Sequence, residues 1–421
     1  MMKLYSEDYI IRYAKQHSPF YRELYKDVKT DHPTVKDLPL INQSDFWAAN
    51  THGSDNTVLT GAIEDGLVFK SGGSTSAPKF SVFAHDEYET FCHTSGLAFM
   101  YNGVQSGDKI ANLFYGGLLY TSFLYVHDFV RYCPIQLVEY PIMGSTPIPE
   151  ILHIIEQHKC NVINGVPTTI ISLFEHAKKT GADISFVNKI YFGGETFFQD
   201  QRDFVHSVNS KVEIRSGSYS LVDGGLVGFG DNSCGFNEHR TFDYVCRLEI
   251  VDSDTGEVIE ETNKTGNLIV TSLYRRLQPM IRYPLGDRGM WLEPENVSNR
   301  KFLLQGRSEE GARVGVVSFY YDDLRAVLQS VSGVHILNYQ LVITHFDGKD
   351  ALAVRAATNE TSLAKDHKKE FLSGLYKERV LFKEEYEKGH LHEPVFEFVS
   401  PEELEYNPRT GKIKRILDQR L

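Results

Sequence analysis

The sequence predicts an α/β fold: a large N-terminal domain of parallel sheet with covering helices plus an antiparallel β subdomain, then a small α+β C-terminal domain. Three observations carry this. From about residue 85 to 215, short apolar runs alternate with helical stretches, as in parallel strands joined by crossover helices. After about 235, apolar and polar residues alternate between tight turns, as in antiparallel strands. From 308 onward, strands and charged helices mix within a short segment.

The first 30 residues read as helix. Tyr9, Ile10, Ile11, Tyr13 and Ala14 cluster at helical spacing, and Ser18-Pro19 stops the run. A proline-containing loop follows. In GLVFKSGGSTSAPKFSVFAH, Leu67, Val68 and Phe69 make a strand, the glycines and Pro78 break it, and Phe80 to Phe83 restart it. Strands are then expected at 109–115, 135–140, 161–166 and 189–194, with helices near 86–102, 147–159, 168–180 and 199–208. VCRLEIVDSDTGEVI and TGNLIVTSL read as antiparallel strands joined by a Thr-Gly turn. Beyond them, helices near 320–331 and 361–389 accompany strands near 334–344, 351–357 and 395–399. The charged stretch KDHKKEF…YKERVLFKEEYEK is a solvated helix face. The boundary between a domain of residues 1–306 and one of 307–421 falls at Gln305–Glu310, where LLQGRSEEG moves from strand to polar turn.

Apolar residues are 41% and charged residues 24%, an ordinary globular balance that excludes a disordered chain, a collagen or a coiled-coil rod. The net charge of −12 argues against a general nucleic-acid or anionic-membrane binder, since both need basic surface. Cys92, Cys133, Cys160, Cys234 and Cys246 are odd in number and widely spaced, which fits reduced cytosolic thiols. No run is apolar enough to span a bilayer, and the charged start lacks a secretory h-region, so a cytoplasmic protein is expected.

Six segments carry chemistry. Ser71-Gly72-Gly73-Ser74-Thr75-Ser76-Ala77-Pro78-Lys79 offers backbone N–H groups, hydroxyls and a lysine to phosphate oxygens, although it fails the GxxxxGK[ST] pattern. Gly193-Gly194-Glu195 follows an apolar strand and leaves room for a planar ligand. In SGSYSLVDGG, Tyr219 can stack on a base and Asp223, four residues on, suits magnesium that bridges to phosphates. In IRYPLGDR, Asp287 follows a strand, in a loop, and can accept from both hydroxyls of a ribose. Gly306-Arg307-Ser308-Glu309-Glu310 forms a polar turn. Lys412, on a Thr-Gly turn, is a mobile charge able to reach a transition state that develops negative charge. Taken singly, each has a bland reading too: a polar hairpin loop, a structural turn, an exposed aspartate, a basic tail.

Together, in this order and at these intervals, the segments resemble the adenylate-forming acyl-CoA synthetase superfamily, and within it the phenylacetate–CoA ligase-like branch. The resemblance covers nearly the whole chain, from Ser18-Pro19-Phe20-Tyr21-Arg22 through SGGSTSAPK, GGE, YSLVDGG, RYPLGD and GR to TGKIKR.

The resemblance implies ATP, Mg²⁺ and, as acyl acceptor, CoA. It implies that Ser71, Gly72, Gly73, Ser74, Thr75 and Lys79 grip the β- and γ-phosphates, and that Gly193, Gly194 and Glu195 border the adenine with Ser218 and Tyr219. It gives Asp223 the magnesium, Asp287 the ribose, Arg307 and Glu309 the hinge of a mobile C-terminal lid, and Lys412 the adenylation step. The family's aromatic block reads YGxTE. Here Ser220, Val222 and Asp223 replace its Gly, Thr and Glu, so Val222 has no hydroxyl for the α-phosphate.

Tyr115, Gly116 and Gly117 occupy the place of the acyl pocket, and Tyr120, Phe123 and Tyr125 add aromatic walls that suit an aryl or small hydrophobic acid, or simply core. Some members of the branch hold a structural zinc. Cys234 and His239 match part of that signature, no cysteine follows between Trp291 and Gly306, and two ligands do not close a site, so none is expected. The implied partners are a small carboxylic acid, CoA or a carrier protein, and a second copy in a homodimer; neither nucleic acid nor membrane is expected. Two other readings stay open: acyl transfer to a carrier-protein thiol, a protein cysteine or an amine, and a non-catalytic ligand-binding relative.

Overall fold

The structure, a computed structural model, describes all residues except 1, 52, 54, 71–78, 195–196, 198, 253–254, 308–310, 321–323, 325–326, 329–330, 332–335, 337, 359–366, 406–413 and 421. Two compact units result. Met1–Ser71, Lys79–Phe197 and Arg202–Gly306 form the larger, and Arg307–Leu421 forms most of the smaller.

The larger unit starts with α1 (Glu7–His17). Ser6 accepts the Tyr9 N–H, and Glu7 and Asp8 begin the helix while Lys15 and His17 end it, each matching the helix dipole. Ser18 stops α1 and caps α2 (Pro19–Leu24), with Pro19 in the first turn, where its missing N–H costs nothing. The region read as loop contains another helix, α3 (Gln43–Ala49), whose cap Asn42 accepts the Asp45 N–H at 3.1 Å. Its seven residues are too few for a helical period to stand out in sequence. Strands β1 (Leu67–Lys70) and β2 (Phe80–Phe83) pair antiparallel, as the strand–loop–strand reading expects.

Next come α4 (His85–Tyr101), β3 (Lys109–Leu113), α5 (Ser122–Tyr132), β4 (Val138–Pro141), α6 (Ile148–His158), β5 (Val162–Gly165), α7 (Pro167–Thr180), β6 (Lys189–Phe192), α8 (Gln199–Val208) and β7 (Glu213–Ser216). The five strands form one parallel sheet in the order β4-β3-β5-β6-β7. Successive residues face opposite cores. Ala111, Ile163 and Ile190 pack with Ile155, Leu173 and Phe174, whereas Ile110, Val162 and Tyr191 pack with Phe99, Phe129 and Val130. Burial on both faces explains the apolar character of β3, β5 and β6, whereas the edge strands β4 and β7 are more exposed.

The chain then turns into β8 (Ser218–Leu221), β9 (Gly225–Phe229), β10 (Glu238–Thr241), β11 (Cys246–Val251), β12 (Gly266–Ser272), β13 (Tyr283–Trp291) and β14 (Lys301–Arg307). These form a seven-stranded sheet in the order β11-β12-β13-β14-β10-β9-β8. Its inner residues, including Tyr219, Val270, Tyr283, Leu285 and Phe302, share a core with Ile10, Ile11, Tyr21, Tyr25 and Phe46 of the N-terminal helices. One expectation is corrected here. Asp287 lies within β13, not in a loop after a strand, because Tyr283, Leu285, Asp287, Gly289 and Trp291 alternate on the buried face. The Pro284 and Gly286 that suggest a turn point the other way.

The smaller unit contains β15 (Gly311–Val314), β16 (Val317–Tyr320), β17 (Asn338–Phe346), β18 (Lys349–Ala357), α9 (His367–Glu378), α10 (Val380–Glu387), β19 (Val395–Val399) and β20 (Ile416–Asp418). A four-stranded sheet runs β19-β18-β17-β20. Asp347-Gly348, both left-handed, make the two-residue turn between β17 and β18. The single helix expected over 361–389 is two within its described part, broken at Arg379, whose ψ of 65° is not helical. Among the described residues, no helix is long and apolar enough to cross a membrane.

Candidate active site

Glycine-bearing turns gather at the carboxyl ends of the parallel strands, where open α/β sheets accept ligands. Tyr115-Gly116-Gly117 follows β3, Gly193-Gly194 follows β6, and Gly217 links β7 to β8. A Cβ at Gly193 would sit 3.5 Å from the Phe114 ring, and Gly194 has a φ of +81°. Gly217 donates its N–H to Phe192 O at 2.8 Å, and Asn102 Nδ2 donates to Ser216 O and Gly217 O at 2.7 and 3.0 Å. The passage from parallel to antiparallel sheet is thereby fixed beside the Gly193-Gly194 turn.

Two tyrosine–aspartate bridges cross at this passage. Tyr219 on β8 donates its hydroxyl to Asp287 Oδ2 on β13 at 2.6 Å. Tyr283 on β13 donates to Asp223 Oδ2, in the turn after β8, at 2.7 Å. Each segment thus offers a tyrosine and, four residues later, an aspartate, and each tyrosine grips the other segment's aspartate. Arg275, fully buried, donates from Nη1 to the Asp223 carbonyl and from Nη2 to Val82 O, which ties the Asp223 turn to β2. Tyr219 is buried with its ring against His239 and Phe302. Ser218 Oγ lies 3.3 Å from Ser220 Oγ.

Of the other expected positions, Lys79 immediately precedes β2, with Nζ 3.4 Å from Gln43 Oε1. Tyr115 bonds Thr169 Oγ1 through its hydroxyl at 2.8 Å, and its ring leaves no room for a side chain at Gly144. Tyr120 is half-buried and closes a turn with Gly117. Between them Leu118 and Leu119 are both left-handed, with φ of 50° and 68°, and Leu118 is 96% exposed. Two consecutive leucines in this region store strain of about 1–3 kcal/mol each. Arg307 ends β14. Ser71, Gly72, Gly73, Ser74, Thr75, Glu195, Glu309 and Lys412 lie outside the described residues. Cys234 is half-buried, while His239 is buried and meets Ser216 Oγ at 3.0 Å through Nε2. No group of three or more His, Cys, Asp and Glu able to hold a metal ion occurs among the described residues. A single carboxylate plus substrate phosphates is the usual magnesium arrangement, and half-buried Asp223 fits it.

Sequence reasoning missed Gln43 and Trp47 of α3 and Tyr283, which surround Asp223 and Lys79. The available signal was the cap pattern Asn42-Gln43-Ser44-Asp45 before Phe46 and Trp47.

Two predictions arise here. Asp287→Ala removes the carboxylate assigned to the ribose, and the ATP KM is expected to rise about 10- to 100-fold, the size of a charge-assisted hydrogen bond. An unchanged ATP KM in ATP–pyrophosphate exchange would remove that assignment. The second concerns His239, which burial holds down at about 4. Its folded value lies below the unfolded one of about 6.5. The unfolded chain therefore takes up a proton first, and stability present above about pH 6.5 is lost as pH falls toward 4. At pH 5 the loss is about 2 kcal/mol. Urea unfolding at pH 7 and pH 5 should show this fall for the natural protein and a smaller one for His239→Phe.

No protein-family model matches the chain. The phenylacetate-coenzyme A ligase of Thermus thermophilus is 23% identical over 366 residues, 83% of this chain and 79% of that protein. The indoleacetate–lysine synthetase of Pseudomonas savastanoi is 24% identical over 280 residues, 65% of this chain and 62% of that protein. In fold, the crystal structure of 2-hydroxyisobutyryl-CoA ligase in complex with 2-HIB-AMP and CoA matches with a TM-score of 0.74 at 17% identity, over 98% of this chain and 88% of that one. The mixed α/β architecture is that of these ligases, and in sequence and in fold the chain is similar to adenylate-forming acyl-CoA ligases.

Proposed function

We propose that this AMP-forming acid–thiol ligase activates a small hydrophobic or aryl carboxylic acid with ATP and passes the acyl group to CoA. The observation that carries the reading is the crossed pair of bridges, which holds Asp223 and Asp287 beside the glycine turns that would border a nucleotide. In the first half-reaction the carboxylate attacks the α-phosphate in line, and acyl-AMP and pyrophosphate result. The protein contributes position and charge. Lys79 and the 71–75 loop hold the β- and γ-phosphates. Gly193, Gly194, Glu195, Ser218 and Tyr219 border the base, Asp287 holds the ribose, and Lys412 steadies the charge that builds on the α-phosphate. Asp223 would hold magnesium, which supplies charge neutralisation at the phosphates. In the second half, residues 307–421 would turn about Arg307 and Glu309, Lys412 would withdraw, and the thiol, losing its proton, attacks the acyl carbonyl, breaks the acyl–phosphate bond and releases AMP.

Tyr115, Gly116, Gly117 and Tyr120, next to the apolar Leu118–Leu119 turn, would form the acid pocket; such walls suit a flat or compact apolar acid. A second reading, transfer to an amine, draws on the relative named as an indoleacetate–lysine synthetase. Acid-dependent ATP–pyrophosphate exchange over aryl, short aliphatic, fatty and amino acids, without CoA, tests the first step. Exchange with aryl or small hydrophobic acids supports the proposal, and exchange confined to another class overturns the acid assignment. Adding CoA or an amine and weighing the product then decides the acceptor.

A further inference from the structure

Helix α3 lies outside every segment that carries the resemblance, yet two of its side chains reach the site. Gln43 and Trp47, one helical turn apart, face the same way. Trp47 Nε1 donates to the Tyr283 hydroxyl oxygen at 3.0 Å, and Gln43 Nε2 donates to it at 3.2 Å. Gln43 Nε2 also donates to Pro284 O, while Gln43 Oε1 accepts from Lys79 Nζ at 3.4 Å. The same ammonium stands 5.5 Å from the centre of the Trp47 ring, within cation–π range.

The chemistry of these partners leaves no choice of direction. An indole N–H and an ammonium only donate, and a proline carbonyl only accepts. The Gln43 amide must therefore turn its oxygen to Lys79 and its nitrogen to Tyr283. The Tyr283 oxygen, fully buried, then receives two hydrogen bonds, and its own proton goes to Asp223 Oδ2 at 2.7 Å. A hydroxyl with both acceptor positions used cannot swing away, so the Asp223 carboxylate is held in one orientation. The same two side chains thus reach Lys79 directly and Asp223 through Tyr283.

We propose that Gln43 and Trp47 are positioning residues for the triphosphate and its magnesium, acting on Asp223 through Tyr283 and on Lys79 directly. This rests on the proposed function above. Because both endpoints serve the phosphates and the metal, binding of Mg²⁺ with a non-hydrolysable ATP analogue should suffer, and binding of AMP should not.

The test is calorimetric titration of the full chain with AMPCPP, with and without Mg²⁺, and with AMP alone. Trp47→Phe keeps the ring packing and removes the N–H; Gln43→Met keeps the length and removes both amide groups. Each should weaken Mg²⁺–AMPCPP about tenfold, the net value of a lost buried hydrogen bond. AMP affinity should change less than twofold. In a Tyr283→Phe background, Trp47→Phe should add nothing further, since its route to Asp223 is gone. This cycle remains decisive if Gln43→Met folds poorly. Equal losses for AMP and Mg²⁺–AMPCPP, no loss for either, or full additivity with Tyr283→Phe would overturn the inference while leaving the ATP-site reading standing. A natural protein that binds no AMPCPP would overturn both.

Discussion

Lys412→Ala is expected to slow acyl-adenylate formation by about 10²–10³, the usual effect of losing one preorganised donor at a developing negative charge. In-line attack on the α-phosphate brings an anion to an anion, so the group that screens it acts mainly in the transition state. Substrate KM values should therefore move little while kcat falls. Thioester formation from supplied acyl-AMP should survive, because the proposed mechanism withdraws the lysine in the second half-reaction. Stopped assays of both half-reactions check this. An equal fall in both would end the two-conformation reading for this protein.

The second large effect concerns stability. Arg282→Ala should cost about 3–5 kcal/mol, read as a lower urea midpoint. Arg282 and Glu249 form a buried pair: Nε and Nη2 reach the two carboxylate oxygens at 3.1 and 2.9 Å. Burial pushes the Glu249 carboxyl up, and the neighbouring guanidinium opposes that rise. Without the arginine the carboxylate stays buried and loses its counter-charge. Nη1 also donates to Leu38 O, so the N-terminal segment loses an anchor just before α3. The double change Arg282→Met with Glu249→Leu removes both charges and should recover most of the loss. If the single variant unfolds at the natural midpoint, the pair contributes nothing, as exposed pairs commonly do.

Much of the fold was legible because its signals are local. The central strands β3, β5 and β6 of the parallel sheet are short apolar runs buried on two faces, and α6 and α7 each carry an apolar stripe. The crossed bridges were half legible. The sequence repeats a tyrosine with an aspartate four residues later, at Tyr219 and Asp223 and at Tyr283 and Asp287. That each tyrosine serves the aspartate of the other segment follows only from the tertiary arrangement, and no spacing encodes it. Pro284 and Gly286 masked the alternation that puts Asp287 on a strand. Helix α3 was missed because its reason for being helical is a cap and a packing surface, both short.

The reach of α3 also sets an order of assembly. Trp47 and its partner Tyr283 stand 236 positions apart, and Tyr21 finds the Pro279 carbonyl 258 positions downstream. During synthesis the amino-terminal helices leave the ribosome first, yet their seats are made near residue 280. They must wait while the whole parallel sheet folds behind them, with apolar faces uncovered. The proposed nucleotide site would consequently be among the last features of the larger unit to mature, and a nascent chain stopped before residue 283 would hold the parallel strands without the Trp47–Tyr283 contact.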